Sequence, residues 1–156
     1  GGFYDADSVF HALPTSTNQT YTKKYFDSSP VRADSKANWK VIRYADVLLM
    51  YAEALNENGK PQQAIPFLNQ VRTRAGLEGY PNTMSQTETR DAIVLERRLE
   101  LSFEGVRWFD LVRTGKAYEV MKDKGMAPYM TVFPIPLSQV QIINDPTIFP
   151  QNPGYD

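Results

Sequence analysis

The sequence predicts a mainly α-helical fold with irregular segments at both ends. Between residues 39 and 103, apolar side chains recur at helical spacing in three long segments. From residue 127 onward, six prolines exclude a long helix or a central strand. Residues 1–40 are rich in polar and aromatic side chains without periodicity, which indicates a loop-rich lead-in. We therefore expect a tetratricopeptide-like helical hairpin, further helices and a wrapped proline-rich tail.

The first two predicted helices form the hairpin. The first covers residues 39–58, and apolar residues on several of its faces predict that it is covered on more than one side. Gly59 ends it, and Pro61 suits the first turn of the second helix. Small side chains at Ala52 and Ala64 would let the two helices approach closely. A single hairpin cannot bury all its faces, so later helices or sequence outside the chain must cover it.

Capping and turn residues place the remaining helices. Ser85 and Glu88 fit a capping box, which predicts a third helix to about residue 103. A short helix carrying Trp108 should follow, and a further helical turn is predicted over residues 137–143.

The segment 96–115, ERRLELSFEGVRWFDLVRTG, combines many charges with large apolar side chains. Its opposite charges recur three residues apart, and residues three or four apart are neighbours on a helix. Arginine is favoured in buried ion pairs because its planar guanidinium group can donate two hydrogen bonds to one carboxylate. The sequence therefore predicts a structural ion network, whose members are Arg97, Glu100, Glu104, Arg107, Asp110 and Arg113.

A catalytic interpretation of the same segment rests on Glu100 and Glu104, which are four residues apart. Paired carboxylates carry out glycoside hydrolysis, but one of them must be protonated. The neighbouring arginines favour the ionised forms of both. Two carboxylates that are neighbours on one helix also rarely flank the scissile bond of a substrate from both sides. We therefore predict no catalytic residue and a protein that is not an enzyme.

Composition excludes several classes of function. The 17 basic and 18 acidic residues are interspersed and give a net charge of −1, so nothing indicates nucleic-acid binding. Cysteine is absent and His11 is the only histidine, so neither a cysteine nor a multi-histidine metal site is possible, and no cofactor is expected. No apolar run is long enough to span a bilayer.

Four aromatic residues in or beside the lead-in are candidate ligand contacts. Flat rings can stack on the C–H faces of sugars, and the same rings can pack the lead-in onto the helices instead. Packing is the more common use of large rings. The candidates are Tyr21, Tyr25, Phe26 and Trp39.

Four motifs in order carry a resemblance to a known family. They are the charged segment 96–115, VIRYADVLLMYAEALN at residues 41–56, FPIP at residues 133–136 and QNPGY at residues 151–155. Together they resemble the C-terminal region of the SusD/RagB family of outer-membrane nutrient-binding lipoproteins. Many members carry histidine where this chain has Val106, a departure that touches no assigned ligand contact.

The resemblance implies a domain organisation and a function. Residues 1–40 would be an irregular lead-in, residues 41–156 a C-terminal helical domain, and the whole chain a fragment of a longer protein. That protein would capture a glycan or peptide at the cell surface and deliver it to a SusC-like TonB-dependent transporter. It would be held at the outer membrane by a lipid anchor outside this chain.

The matched motifs are scaffold motifs, since ligand in the family is held mainly by loops outside the C-terminal helices. The resemblance therefore assigns no ligand-contact residue to this chain. The alternative is a helical-repeat module that binds other proteins and no sugar. The lack of a second clear repeat and the FPIP and QNPGY motifs argue against it.

Overall fold

The structure is a computed structural model and describes residues 2–4, 10–12, 22, 24, 25 and 37–155. The chain divides into two compact units, residues 1–103 and residues 104–156. Each unit is mainly helical, which confirms the predicted fold class.

The described residues of unit 1 form two short strands and three long helices. Strands β1 (Gly2–Tyr4) and β2 (Phe10–Ala12) are antiparallel, with Phe3 opposite His11. The helices are α1 (Tyr44–Glu57), α2 (Pro61–Arg74) and α3 (Gln86–Glu100).

Helices α1 and α2 form the predicted hairpin around small side chains. Ala52 and Ala64 are completely buried, as are Leu49 and Leu68. Gly59 has a φ of 73°, the left-handed conformation that ends α1 and allows the chain to turn into α2. Ile93 of α3 joins this apolar cluster, so the three helices share one core.

The ends of α1 and α3 differ from the sequence prediction. Helix α1 begins at Tyr44 rather than near residue 39, because Arg43 is extended, with φ −122° and ψ 154°. Helix α3 starts at Gln86, and the predicted capping box of Ser85 and Glu88 at this end is confirmed. It ends at Glu100 rather than near residue 103, and Phe103 follows with a φ of 65°. A non-glycine residue in the left-handed region cannot continue a right-handed helix.

Unit 2 consists of short helices and the proline-rich tail. Its helices are α4 (Arg107–Arg113), α5 (Ala117–Met121) and α6 (Leu137–Ile143), with 3-10 turns at Lys122–Lys124 and Pro128–Thr131. Leu111 and Ala117 are its buried apolar residues. Across the described part of the chain, no helix is long and apolar enough to cross a membrane.

Side chains of the tail motif QNPGY bind backbone groups of FPIP and of the residue before it. The Gln151 side chain accepts from the Ile135 N–H at 2.7 Å and donates to the Ile135 carbonyl at 2.9 Å. The Asn152 amide donates to the Phe133 carbonyl at 2.7 Å. The Tyr155 hydroxyl donates to the Val132 carbonyl at 2.9 Å. Prolines leave this segment without a regular ladder, so these side chains satisfy its backbone.

Gly154 closes the motif next to an aromatic ring. It has a φ of 90°, and a Cβ built there would lie 2.5 Å from the Tyr129 ring. Tyr129 also meets Tyr155 edge-to-face, with 5.1 Å between ring centroids. Glycine is therefore required here for both its conformation and its size.

Substitution of Gln151 by alanine is expected to lower the free energy of unfolding by about 1–3 kcal/mol. The backbone N–H and the backbone carbonyl of the half-buried Ile135 would each lose the hydrogen bond that the Gln151 side chain provides. The exposed Gln141 of α6 offers a matched control, and Gln141→Ala should change stability little. Equal effects of the two substitutions in chemical denaturation would contradict a specific role for Gln151.

Candidate functional site

The structure describes two of the four candidate aromatic residues, Tyr25 and Trp39. Trp39 has 74% of its surface exposed and precedes α1. Tyr25 lies in a turn and is half-buried. Tyr21 and Phe26 lie outside the described residues. Among the candidates that are described, Trp39 therefore presents the more accessible ring.

Lys24 fixes the turn that carries Tyr25 onto the end of α3. Its Nζ donates to the carbonyl oxygens of Glu100 at 2.6 Å and Ser102 at 2.8 Å. The last carbonyls of a helix lack partners within the helix and carry a partial negative charge, which an ammonium group complements. Sequence reasoning had no signal for this contact, because Lys24 and Glu100 are 76 residues apart.

Glu100 is the centre of an ion network in unit 1. Its Oε1 accepts from Arg43 at 2.8 Å and its Oε2 from Arg74 at 2.6 Å. Arg43 also donates to the Glu100 backbone carbonyl at 3.0 Å. Only 10% of the Glu100 side chain is exposed. One carboxylate thus joins the start of α1, the end of α2 and the end of α3.

Two further ion pairs connect the same helices. Arg97 of α3 donates to Asp46 of α1 at 2.8 Å, with side-chain exposures of 7% and 17%. Arg72 of α2 donates to Glu96 of α3 at 2.9 Å, and the Glu96 side chain is 3% exposed. The sequence pattern did not reveal the partners Arg43, Asp46, Arg72 and Arg74, because spacing identifies neighbours only within a helix.

The second half of the predicted network lies in unit 2. Arg113 donates to Asp110 at 2.9 Å, at the expected spacing of three residues. Arg107 is the first residue of α4, and Glu104 lies in the segment before it. The helical members of the predicted network lie on two separate helices, as the predicted short helix after residue 103 implies, because α3 ends at Glu100 and α4 begins at Arg107.

The end of α3 at Glu100 argues against the catalytic interpretation. Glu100 and Glu104 do not share a helical face, since Glu104 lies beyond the end of α3. Both carboxylate oxygens of Glu100 already accept hydrogen bonds from guanidinium groups. This arrangement holds a carboxylate in place as an acceptor, whereas hydrolysis requires a carboxylic acid that donates its proton.

A surface ion pair also links α1 to α3. Arg90 donates to both carboxylate oxygens of Glu57, each at 2.7 Å. The hydrogen bond from Arg90 lowers the pKa of the Glu57 carboxyl below its ordinary value. The stabilisation from this pair is therefore present above the ordinary carboxyl pKa and is lost as the pH falls through the lowered value.

Unit 2 contains an open apolar cleft with a volume of about 360 Å³. The Trp108 and Phe133 rings lie on it, 6.3 Å apart and tilted by 57°. The rest of its lining comprises Met121, Lys124, Gly125, Met126 and Met130. Methionine side chains adapt to apolar groups of varied shape, and a tryptophan face can contact the C–H groups of a sugar.

The carboxylates of the described residues do not form a metal centre. No group of three or more histidine, cysteine, aspartate or glutamate side chains with suitable placement occurs among them.

Comparison with known proteins identifies the family. A model of the SusD family, SusD/RagB, matches residues 11–132. The chain belongs to the SusD family. It is 32% identical to SusD-like protein P2 of Formosa agariphila over 155 residues, which covers 88% of this chain and 31% of that protein. It is 48% identical to SusD-like protein P38 of the same organism over 89 residues, covering 52% of this chain and 18% of that protein.

Solved structures of SusD proteins share the fold. A SusD homologue from Bacteroides thetaiotaomicron is 32% identical, with a TM-score of 0.70 over 85% of this chain and 30% of that one. A laminarin-binding SusD-like protein is 40% identical, with a TM-score of 0.61 over 83% of this chain and 26% of that one. The chain thus spans less than a third of the length of these SusD relatives. The resemblance inferred from the four motifs is confirmed.

Proposed function

We propose that the parent protein of this chain captures an oligosaccharide, or alternatively a peptide, at the cell surface and passes it to a SusC-like TonB-dependent transporter. The observation that carries the proposal is membership of the SusD family. A SusD-like protein that binds laminarin is 40% identical to this chain, which supports a glycan as the ligand. The parent protein would be lipid-anchored on the outer membrane through a segment outside this chain.

The chain would contribute a rigid scaffold and no catalytic step. Glu100 holds three helices together through Arg43 and Arg74, and both of its oxygens are occupied in doing so. The pairs Arg97–Asp46 and Arg72–Glu96 restrain the same three helices. Buried ion pairs of this kind can fix one packing arrangement, which a binding protein needs in order to hold its loops in place.

Within this chain, Trp39 is the strongest candidate for a ligand contact. Its ring is mostly exposed, whereas Tyr25 is half-buried next to the Lys24 anchor. Tyr21 and Phe26 remain candidates from the sequence alone. We expect the main ligand contacts to lie in loops of the parent protein outside this chain.

Calorimetry with laminarin oligosaccharides tests the proposal. The parent protein should bind with a dissociation constant between micromolar and millimolar, about −8 to −4 kcal/mol. This chain alone, once circular dichroism shows that it is folded, should bind much more weakly. Equal affinities would place the site on this chain, and loss of binding in Trp39→Ala but not in Trp39→Phe would then identify the stacking ring.

Co-purification of the parent protein with the co-expressed transporter tests the second step. Retention of the transporter together with glycan binding supports capture and delivery. Retention of a protein partner without any glycan or peptide binding would favour the alternative, a helical-repeat interaction module. Hydrolysis of the oligosaccharide by the purified protein would contradict a non-enzymatic role.

A further inference from the structure

A pocket with a volume of about 220 Å³, here called the arginine pocket, lies where α1 begins and α2 ends. Its lining includes Arg43, Tyr44 and Leu48 at the start of α1 and Gln70, Val71 and Arg74 at the end of α2. A cavity of about 150 Å³ is large enough to hold benzene. The arginine pocket therefore has room for one six-membered ring.

The buried part of the lining is apolar and the exposed part is polar. Leu48 and Val71 are 8% and 2% exposed, respectively. The side chains of Tyr44, Gln70 and Arg74 reach solvent at the opening. Binding sites for small molecules commonly combine an apolar surface with a few polar groups that fix the orientation of the ligand.

The two arginines give the pocket a positive charge. Of the described residues that line it, none is acidic. The Glu100 carboxylate lies next to the pocket and accepts from Arg43 at 2.8 Å and from Arg74 at 2.6 Å. It thereby holds both guanidinium groups in place, so an incoming anion would not have to immobilise two flexible side chains.

Arg74 can donate to a ligand while it remains bound to Glu100. A guanidinium group has five N–H donors, and the Arg74 group uses its Nη2 for the bond to Glu100. The Arg74 side chain is 61% exposed, which leaves its other edge accessible. The planar guanidinium group can donate two parallel hydrogen bonds to a carboxylate.

A sugar ring that carries a carboxylate fits these features together. Its carboxylate would bind Arg74, and its C–H groups would lie on Leu48 and Val71. Its hydroxyl groups would reach the Tyr44 hydroxyl and the Gln70 amide. A phosphate or sulfate ion would bind the guanidinium group equally well, but it would leave the apolar surface without a contact.

We propose that the arginine pocket binds a uronic acid unit of the captured glycan. The parent protein then binds an acidic oligosaccharide more tightly than a neutral one. This inference rests on the proposed capture of a glycan. The pocket is a subsite for the carboxylate, and it adds to the contacts that loops outside this chain provide.

Calorimetry on the full-length parent protein with trigalacturonate and with its methyl ester tests the proposal. The ester keeps the rings and removes the charges. The acid should bind at least tenfold more tightly, and its advantage should fall as the salt concentration rises. Equal affinities would overturn the uronic acid subsite and leave the capture of a glycan standing. No binding of trigalacturonate would also overturn it, whereas the measurement with laminarin oligosaccharides decides the capture of a glycan separately.

A peptide with the same number of carboxylates tests whether the sugar ring matters. Triglutamate offers the charges without the ring, so it should bind at least tenfold more weakly than trigalacturonate. Tighter binding of triglutamate would assign the pocket to acidic peptides and would overturn the uronic acid subsite.

Two substitutions locate the acid preference in the pocket. Gln70→Glu adds a carboxylate to the lining without removing a member of the Glu100 network, and it should abolish the preference for the acid. Gln63→Glu, at an exposed position of α2 outside the lining, is the matched control and should keep the preference. A preference that survives Gln70→Glu, or that Gln63→Glu abolishes equally, would overturn the proposal.

Arg74→Lys provides a second variant in case Gln70→Glu disturbs the fold. It keeps the positive charge and removes the planar fork, so it should weaken the binding of the acid severalfold and leave the affinity for the ester unchanged. Arg98→Lys on the exposed side of α3 is the control, because Arg98 does not line the pocket. Equal affinities for the acid in the two lysine variants would contradict the role of Arg74.

Discussion

Replacement of Arg97 by alanine is expected to lower the free energy of unfolding by about 3–5 kcal/mol. The Arg97 side chain is 7% exposed and donates to Asp46 at 2.8 Å. Asp46 itself is 17% exposed, so the substitution leaves a carboxylate without its guanidinium in a largely dehydrated place. The penalty comes mainly from that stranded charge rather than from the lost attraction.

A double variant distinguishes these two contributions. Arg97→Met with Asp46→Leu removes both charges and keeps much of the buried volume, so it should recover most of the lost stability. Arg90→Ala is the surface control, since the Arg90–Glu57 pair is more than 40% exposed on both sides. Exposed pairs contribute about 0–1 kcal/mol. If urea denaturation gave the same loss for Arg97→Ala and Arg90→Ala, the network would not be a buried structural element.

Replacement of Leu68 by alanine is expected to cost about 2–5 kcal/mol. Leu68 is completely buried in the centre of the α1–α2 hairpin, in the same cluster as Leu49, Ala52 and Ala64. The backbones of α1 and α2 meet through the two alanines, which leaves little freedom for the helices to close the resulting cavity. The substitution therefore loses both the burial of the side chain and the contacts around it.

The matched control is Leu99→Ala on α3, because 53% of Leu99 is exposed. The change in residue type is identical, and both positions are within helices, so helix propensity cancels. Thermal or chemical unfolding should show a much smaller loss for Leu99→Ala. Comparable losses would mean that the hairpin core does not determine the stability of unit 1.

Much of the fold follows from local sequence signals. Periodicity and Pro61 predicted α2, which begins at that residue, and the capping box of Ser85 predicted the start of α3. The small residues Ala52 and Ala64 predicted the close hairpin. The four motifs were specific enough to predict the family, which the comparisons confirm. These features were predictable because each depends on residues that are close together in the sequence.

The partners of the charged residues were decided by tertiary structure. The sequence places Arg97 and Glu100 three residues apart, a spacing that suggests a ladder along one helix. In the folded chain, Arg97 reaches Asp46, 51 residues away, and Glu100 reaches Arg43, 57 residues away. Such pairings depend on which helix faces are packed together, and no spacing rule contains that information.

The sequence by itself therefore determined the helical class, the hairpin and the family of this protein. Only the tertiary structure decided where α3 ends, which arginines surround Glu100, and how QNPGY binds the FPIP backbone. The physical reason is that helix periodicity, capping and turn formation are local interactions, whereas ion pairing and burial require elements distant in sequence to meet.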